Sequence, residues 1–561
     1  MTSRISRNGV IVSVAVTLTM VFGLGDTPAS GAPPDTIRVG GPSAPTDPKL
    51  AIVASRRSLA GRGFTVSGAS GGVVLRGRLR RAPGSSAPWR RAAIADLSAV
   101  TAPGSYRVRV GTLRSKPWQV DSAAAGTMLA RLMRIYDANS DGAEPSSLFG
   151  PAHLNDAVIK GGPYDGQQFD LTGGWRDAGD NLKFVQTTGF AVAYLHYAAR
   201  LAPSQAGTLL PRSDVGVRWL IRAHPRPDLF VAQIGDLSDH EGGFRDPSTD
   251  DSGTVPGQQV RKAYTSTGGT GAGLAAAGLA LSSGRFEGDV RDAILGSARE
   301  WYAAGKASGK PTFAPGDAYR DETVADNMAL GAAALWRATG EASYLDDAVA
   351  FLRKADFQGG LDPFEVGPLA AADLCGALGA PAAPDPEAQR VACAGLRTAG
   401  AAARDRYRVT AFGTPAGFSF GSIQDIGGSG TMAVVAARAG LLKGGLAIGA
   451  GARDYTLGRN PWGASFVVGP ARKEAANPHH GSYLRGDPRQ VLNGAVVGGP
   501  TSPAALKGRE LKLARRGRYR RFNSKLSVYE DRRENYITSE VSLTYSASTL
   551  LLTAALTPPG D

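Results

Sequence analysis

The chain has 561 residues, 42% hydrophobic and 20% charged, and its 63 Lys and Arg against 49 Asp and Glu give a net charge of +14. This is an ordinary globular composition with ample apolar content for a core, and the length suits several average domains or one small and one large one. The positive balance favours contact with anionic surfaces or polymers, but no basic face is interleaved with stacking aromatics, which excludes nucleic acid as the inferred partner.

At the N-terminus, Arg4 and Arg7 precede an apolar run, "VIVSVAVTLTMVFGL" (10–24), and the small residues "ASGA" (29–32) follow. This is the pattern of a signal peptide over 1–32. The run is shorter than the ~18–20 residues a spanning helix needs. No cysteine lies near the cut and no later stretch is apolar enough to span, so the mature chain is expected to be secreted and soluble.

Residues 36–121 read as short strands between Gly, Ser and Pro clusters, among them "GFTVSG" (63–68), "GVVLRGRLR" (72–80) and "GSYRVRVG" (104–111). Their density predicts a small β-sandwich without an inter-sheet cysteine pair. From about 125 to 558 the texture changes to Ala- and Leu-rich segments with helical spacing. Helices are predicted over 125–136, 184–201, 212–224, 265–282, 288–304, 323–338, 343–355, 367–378, 387–405, 428–442, 446–456 and 537–556. Glycine- and proline-rich loops separate them and no strand–helix alternation is evident, which suits a closed double ring of helices with a site in the loops at one end. Cys375 and Cys393, the only cysteines, either close one loop or remain as two buried thiols.

Four stretches carry chemistry. In "GGWRDAGDNLKF" (173–184), Asp177 and Asp180 stand three residues apart, a spacing that places both on one side of a helical turn. As an isolated pair they would be a solvated capping turn. Here Gly173, Gly174 and Gly179 allow close backbone packing, and Trp175 offers a platform for a sugar ring. In "ENYITSEVSLTYSAS" (534–548), Glu540 opens a predicted amphipathic helix; it is either a glutamate favoured by the helix dipole or a general acid held protonated in a partly dry cleft. "DYTLGRNPWGASFVVG" (454–469) leads to "NPHHGSYLRGDP" (477–488), with His479 and His480 adjacent, and "VAQIGDLSDHEGG" (231–243) carries Asp236, Asp239 and His240. No HExxH or CxxC occurs, and no metal ligand set is assigned. "GTGAGLAAAG" (269–278) is a partial dinucleotide fingerprint without a preceding strand and reads as close helix packing.

Taken in order, the four stretches resemble the signatures of glycoside hydrolase family 9, a group of mostly endo-acting cellulases, over about 125–556. The β-rich part resembles the immunoglobulin-like module that often precedes that catalytic domain. The resemblance implies an all-α (α/α)6 barrel and hydrolysis with inversion at the anomeric carbon. By position it makes Asp180 the catalytic base, Asp177 its partner in holding the attacking water, and Glu540 the acid that protonates the leaving oxygen. Trp175, His240 and His480 become substrate contacts. No cofactor is required under this reading, structural calcium is an option without assigned ligands, and the chain is expected to act as a monomer on a β-glycan.

Several positions depart from the family pattern: Arg176, Asn181, Gly242, Gly243, Phe420, Gly481, Ser482 and Ser539 replace residues that usually touch substrate. The acids are kept while the substrate shell differs, so the expected activity is hydrolysis of β-1,4-glucan or a related glycan rather than of crystalline cellulose. Two alternatives stand beside it. One is an exo-acting glycosidase such as a glucosaminidase, with 501–535 as the segment that would block the cleft. The other is a non-catalytic glycan- or wall-binding protein that retains the fold.

Overall fold

The computed structural model describes residues 33–241, 243–252, 260–311, 319, 321–358, 361–379 and 384–558. The predicted signal peptide lies outside them. The chain first forms nine strands: β1 Thr36–Arg38, β2 Leu50–Ser55, β3 Gly63–Gly68, β4 Val73–Arg78, β5 Arg80–Arg81, β6 Arg91–Asp96, β7 Gly104–Val110, β8 Leu113–Arg114 and β9 Trp118–Val120. They make two sheets, β1-β2-β6-β5 and β4-β3-β7-β8 with β9 on β7. Alternation along the strands drives this: Phe64 and Val66 of β3 point in with Tyr106, Val108 and Val110 of β7, while the residues between them face outward. The opposite face of the first sheet supplies Ile52, Ala54 and Ala92 to the hydrophobic core of the helical part. Trp89 joins them, 5.8 Å from the rings of both Phe412 and Phe522. The predicted sandwich is thus docked on the helical part of the chain.

The helices are α1 Ala124–Leu132, α2 Arg134–Asn139, α3 Val185–Leu201, α4 Ala206–Arg222, α5 Leu237–Glu241, α6 Gly269–Ser282, α7 Gly288–Ser308, α8 Ala325–Thr339 and α9 Ala342–Leu352. After them come α10 Gly367–Leu374, α11 Pro386–Tyr407, α12 Ser422–Arg438, α13 Gly445–Thr456, α14 Pro488–Val491, α15 Pro503–Gly508, α16 Tyr536–Ser539 and α17 Leu543–Leu556. Six of them, α3, α6, α8, α10, α12 and α17, pack in that order into a ring that closes where α17 meets α3. These six are buried almost all round, whereas α4, α7, α9 and α11 bury one stripe and lie outside. α13 also lies outside the ring but is buried from Ile448 to Thr456, where its Arg453 meets Asp47 of the sandwich. The architecture is an (α/α)6 barrel. Small residues set its tightness: a Cβ on Gly273 of α6 would lie 2.5 Å from the Asn327 carbonyl of α8. The "GTGAGLAAAG" stretch is therefore a helix-packing surface. A Cys375–Cys393 disulfide ties the end of α10 to α11.

Three expectations need correction. Residues 177–180 are a bend rather than a helical turn. Glu540 does not open a helix: it is extended (φ −65°, ψ 140°) between the short α16 and α17, and α17 is buried on all sides instead of amphipathic. The helical region also contains strands, β10 Val158–Lys160, β11 Lys183–Phe184, β12 Val231–Ile234 and β13 Lys262–Thr265, in the order β10-β13-β12-β11. Thr265, placed at the start of a helix by periodicity, is instead the last residue of β13.

Candidate active site

Two short strands position the first two motifs. β11 follows the Asp177–Asp180 bend directly, and β12 runs into the loop that carries Asp236 and Asp239. They pair antiparallel, with Lys183 opposite Ile234. The bend is closed by the Asp177 amide donating to the Leu182 carbonyl at 2.8 Å, and the Leu182 amide reaches an Asp180 carboxylate oxygen at 3.2 Å. Gly179 has to be glycine, because a Cβ there would lie 2.4 Å from the His479 carbonyl. Backbone bonds sew the Glu540 segment to the same place. The His479 amide donates to Ser539 O at 2.8 Å, Gly498 to Glu540 O at 2.8 Å, and Leu543 to Asp177 O at 3.0 Å.

The result is a cavity of about 410 Å³ that Asp180 and Glu540 both line, with Arg176, Asn181, His479 and His480. Its size falls within the range of small-ligand sites. Asp180 and Glu540 are half-buried, and Asp177 is 3% exposed. Tyr319 donates a hydrogen bond to Asp177 Oδ2. Burial, then the Asp177 charge, hold the Tyr319 phenol far above its ordinary range, so it stays a donor. A larger cavity of about 730 Å³ lies at the seam between sandwich and barrel. Its carboxylates Asp47 and Glu474 are paired with Arg453 and Arg131, and Asp121 accepts the Ala123 amide at 2.9 Å, whereas the smaller cavity gathers the motif acids Asp180 and Glu540.

Asn139, at the end of α2, escaped the sequence reading. Its Nδ2 donates to the Arg176 and Ala178 carbonyls, both at 2.9 Å, and its Oδ1 receives His480 Nε2 at 2.9 Å. Because the Ser482 amide donates to His480 Nδ1 at 2.9 Å, the proton of the neutral ring sits on Nε2. Burial and the neighbouring Arg176 push the His480 pKa down to about 3. His480 is thus a neutral brace, with both nitrogens already engaged by protein. This departs from the expectation that it reaches a sugar hydroxyl.

Trp175 does not fit the role of a platform. It is fully buried, 5.1 Å from Tyr136, in a slot left by Gly216, where a Cβ would come within 2.5 Å of the indole. The rings that do line the cavity are Phe149, Phe244 and Tyr536. Phe244 stands edge-on to His479 at 4.6 Å, and the Arg176 guanidinium lies 4.5 Å from the Phe149 ring. The side chain of His240 lies outside the described residues.

Beneath the bend is a buried ion network. Lys183 Nζ is 2.7 Å from Asp156 and 3.2 Å from Asp141. His153 bridges Asp141 at 2.9 Å and Asp250 at 3.0 Å, and Arg261 pairs with Asp156 at 2.6 Å. Arg245 joins Asp239 to Asp250, and Arg261 also donates to the Asn181 carbonyl. Burial and Arg261 lower the His153 pKa, but the Asp141 and Asp250 carboxylates outweigh them, so it is raised. With His153 protonated, four cations balance four carboxylates. Asp141, His153 and Asp156 come close enough together to hold a metal ion. They do not fit one here, because Lys183 and Arg261 already occupy the positive positions between these carboxylates.

A closed ring of helix pairs, with Asp180, Asp239 and Glu540 lining a cavity among its loops, is the (α/α)6-barrel architecture with a carboxylate-bearing site at one end. Residues 126–553 match the family model of Glycosyl hydrolase family 9, and residues 44–115 match the Cellulase N-terminal ig-like domain. The chain therefore belongs to glycosyl hydrolase family 9. It resembles Endoglucanase 5 of Arabidopsis thaliana, 30% identical over 39% of this chain and 36% of that protein. It also resembles Endoglucanase B of Cellulomonas fimi, 27% identical over 78% of this chain and 43% of that one. The chain spans less than half the length of either. Among solved structures, a thermostable endoglucanase from Alicyclobacillus acidocaldarius superposes with a TM-score of 0.77 at 21% identity, over 93% of this chain and 100% of that one. A metagenome-derived family 9 endoglucanase gives 0.75 at 22%, over 93% and 99%. At these identities the likeness shows the fold.

Proposed function

We propose that the chain hydrolyses β-1,4-linked glucan or a closely related β-glycan with inversion, cutting within the polymer. The convergence of Asp180 and Glu540 on one cavity carries this reading, and the names of the relatives support it. In the reaction, Asp180 takes a proton from a water held with Asp177 while the water oxygen bonds to the anomeric carbon. The bond from that carbon to the leaving oxygen breaks, and Glu540 gives the leaving oxygen its proton. An acid and a base ~6.5–9.5 Å apart leave room for such a water and dictate inversion. Phe244 and Tyr536, both partly exposed, offer the aromatic surface that a glucan needs, and no step calls on a cofactor. The N-terminal 32 residues would direct secretion.

An exo-acting mode is the second reading. Leu506 and Val528, in the segment named for that role, pack with Ile537 beside Phe420 and the cavity residue Tyr536. Hydrolysis of carboxymethyl-cellulose, mixed-linkage glucan, xyloglucan, chitosan and a uronate polymer separates the two. Viscosity that falls ahead of reducing-end release supports cutting within the chain, and a single small product from the outset supports the exo mode. Binding without turnover on every polymer would point to a non-catalytic glycan-binding protein.

A further inference from the structure

Charge is unevenly divided along this chain. Residues 36–121 hold 15 Lys and Arg against 3 Asp and Glu, so the sandwich carries a net +12 of the chain's +14. Because the sheet of β1, β2, β6 and β5 covers the barrel, the second sheet's outer face points away from it. That face is built of arginines. Arg76 and Arg78 project from β4, Arg107 and Arg109 from β7, and Arg114 from β8, all exposed. Strand register aligns them: Thr65 of β3 is flanked by Arg76 and Arg109, and Arg109 stands opposite Arg114. Three guanidinium groups thus share one row across four strands spaced ~4.8 Å apart.

Like charges set directly opposite each other destabilise a sheet, yet none of the five strands contains an Asp or Glu. None of these five arginines forms an ion pair among the described residues. Their protein contacts are neutral carbonyls: Arg109 to Gly111 O at 2.8 Å, Arg78 to Gly61 O at 3.0 Å and Arg107 to Ser115 O at 3.3 Å. A groove of about 770 Å³ runs here, lined by Thr65, Val73, Arg76, Arg78 and Arg109, with the buried Phe64 at its floor.

We infer that this face binds a carboxylate-bearing polysaccharide of the uronate class. Guanidinium forks pair with carboxylates two bonds at a time, and a repeating anion suits a repeating row of cations. Phe64, Tyr106 and Trp118 all point inward, so the face lacks the stacking rings that single-stranded nucleic acid uses. Among the described residues, Val73 and Val74 are the exposed large apolar residues beside it, too few for insertion into a bilayer interface. The site is separate from the catalytic cavity and would hold the enzyme in an acidic glycan matrix.

The test is binding of polygalacturonate by the full chain at ~0.15 M ionic strength, where distant surface charges are screened. Two double variants remove equal charge: Arg76→Gln with Arg109→Gln, and Arg515→Gln with Arg516→Gln, two exposed arginines between α15 and α16. Melting curves check that both remain folded. The first pair should weaken binding about tenfold, equivalent to ~1.4 kcal/mol, and the second less than about twofold. Equal losses in the two pairs, equal binding of neutral hydroxyethylcellulose, binding of polyphosphate but not polygalacturonate, or no binding at all would each overturn the inference.

Discussion

Lys183 offers the sharpest test of how the site is held. It is wholly buried, and its ammonium meets Asp156 at 2.7 Å, Asp141 at 3.2 Å and the Gly173 carbonyl at 3.0 Å. Lys183→Met keeps most of the stem and removes only the charge. Asp141 and Asp156 then share Arg261 and His153 alone, and a buried charge left short of its partner costs about 3–5 kcal/mol. Denaturant unfolding followed by far-ultraviolet circular dichroism, which reports the helices, should show that loss. Adding Asp156→Asn should restore about 1–3 kcal/mol, because the two residues act as a pair. The network also holds the Asn181 carbonyl beside Asp180, so activity should fall with stability. A loss below about 1 kcal/mol, the level of a surface ion pair, would refute the buried-network account. So would a double variant no more stable than the single one.

Other consequences concern neighbouring residues. Tyr319→Phe removes a donor to the Asp177 carboxylate, so kcat should drop about 10- to 100-fold, as the ~1.5–3 kcal/mol of such a bond implies; unchanged kcat would remove Tyr319 from the site. Trp175→Ala should cost about 3–5 kcal/mol of stability, whereas Trp175→Phe should leave KM near wild type; a large KM rise at unchanged stability would return Trp175 to the substrate surface. Burial raises the Asp326 pKa to about 7 and, with nearby Asp362, that of Glu365 to about 7. The folded state therefore holds protons that the unfolded chain has released, and the stability these groups contribute is full below about pH 4 and lost as pH rises through about 7. Asp326→Asn should flatten that decline in denaturation measured from pH 4 to 8, and an unchanged slope would contradict the assignment.

Features confined to one continuous string were legible in the sequence. Asp177, Asp180 and Gly179 share a bend whose glycine content announces close packing, and Ala- and Leu-rich segments between Gly- and Pro-rich loops outline the helices. Contacts made across the fold left no such trace. Asn139 braces His480 from 341 positions away, and Tyr319 reaches Asp177 across 142. The strands β10 to β13 run only two to four residues each, too short for alternation to register. The break at Glu540 is hidden because Ile537, Val541 and Tyr545 keep a four-residue spacing that reads as one helical stripe across α16 and α17. Trp175 was misread for a physical reason: beside two acids an indole suggests a sugar platform, and only the facing Gly216 shows that the ring has a slot inside the core.

The central claim is that Asp180 and Glu540 act as base and acid across one cavity. Its most direct test is proton NMR of the first products from a soluble β-glucan, with wild type, Asp180→Asn and Glu540→Gln. The account predicts that the α-anomer appears first and that each variant loses about 10²–10⁴-fold in rate. Glu540→Gln should lose far less on an aryl β-cellobioside whose acidic phenol departs without protonation. Initial β-anomer, or a variant that still cleaves the polymer at the wild-type rate, would contradict it.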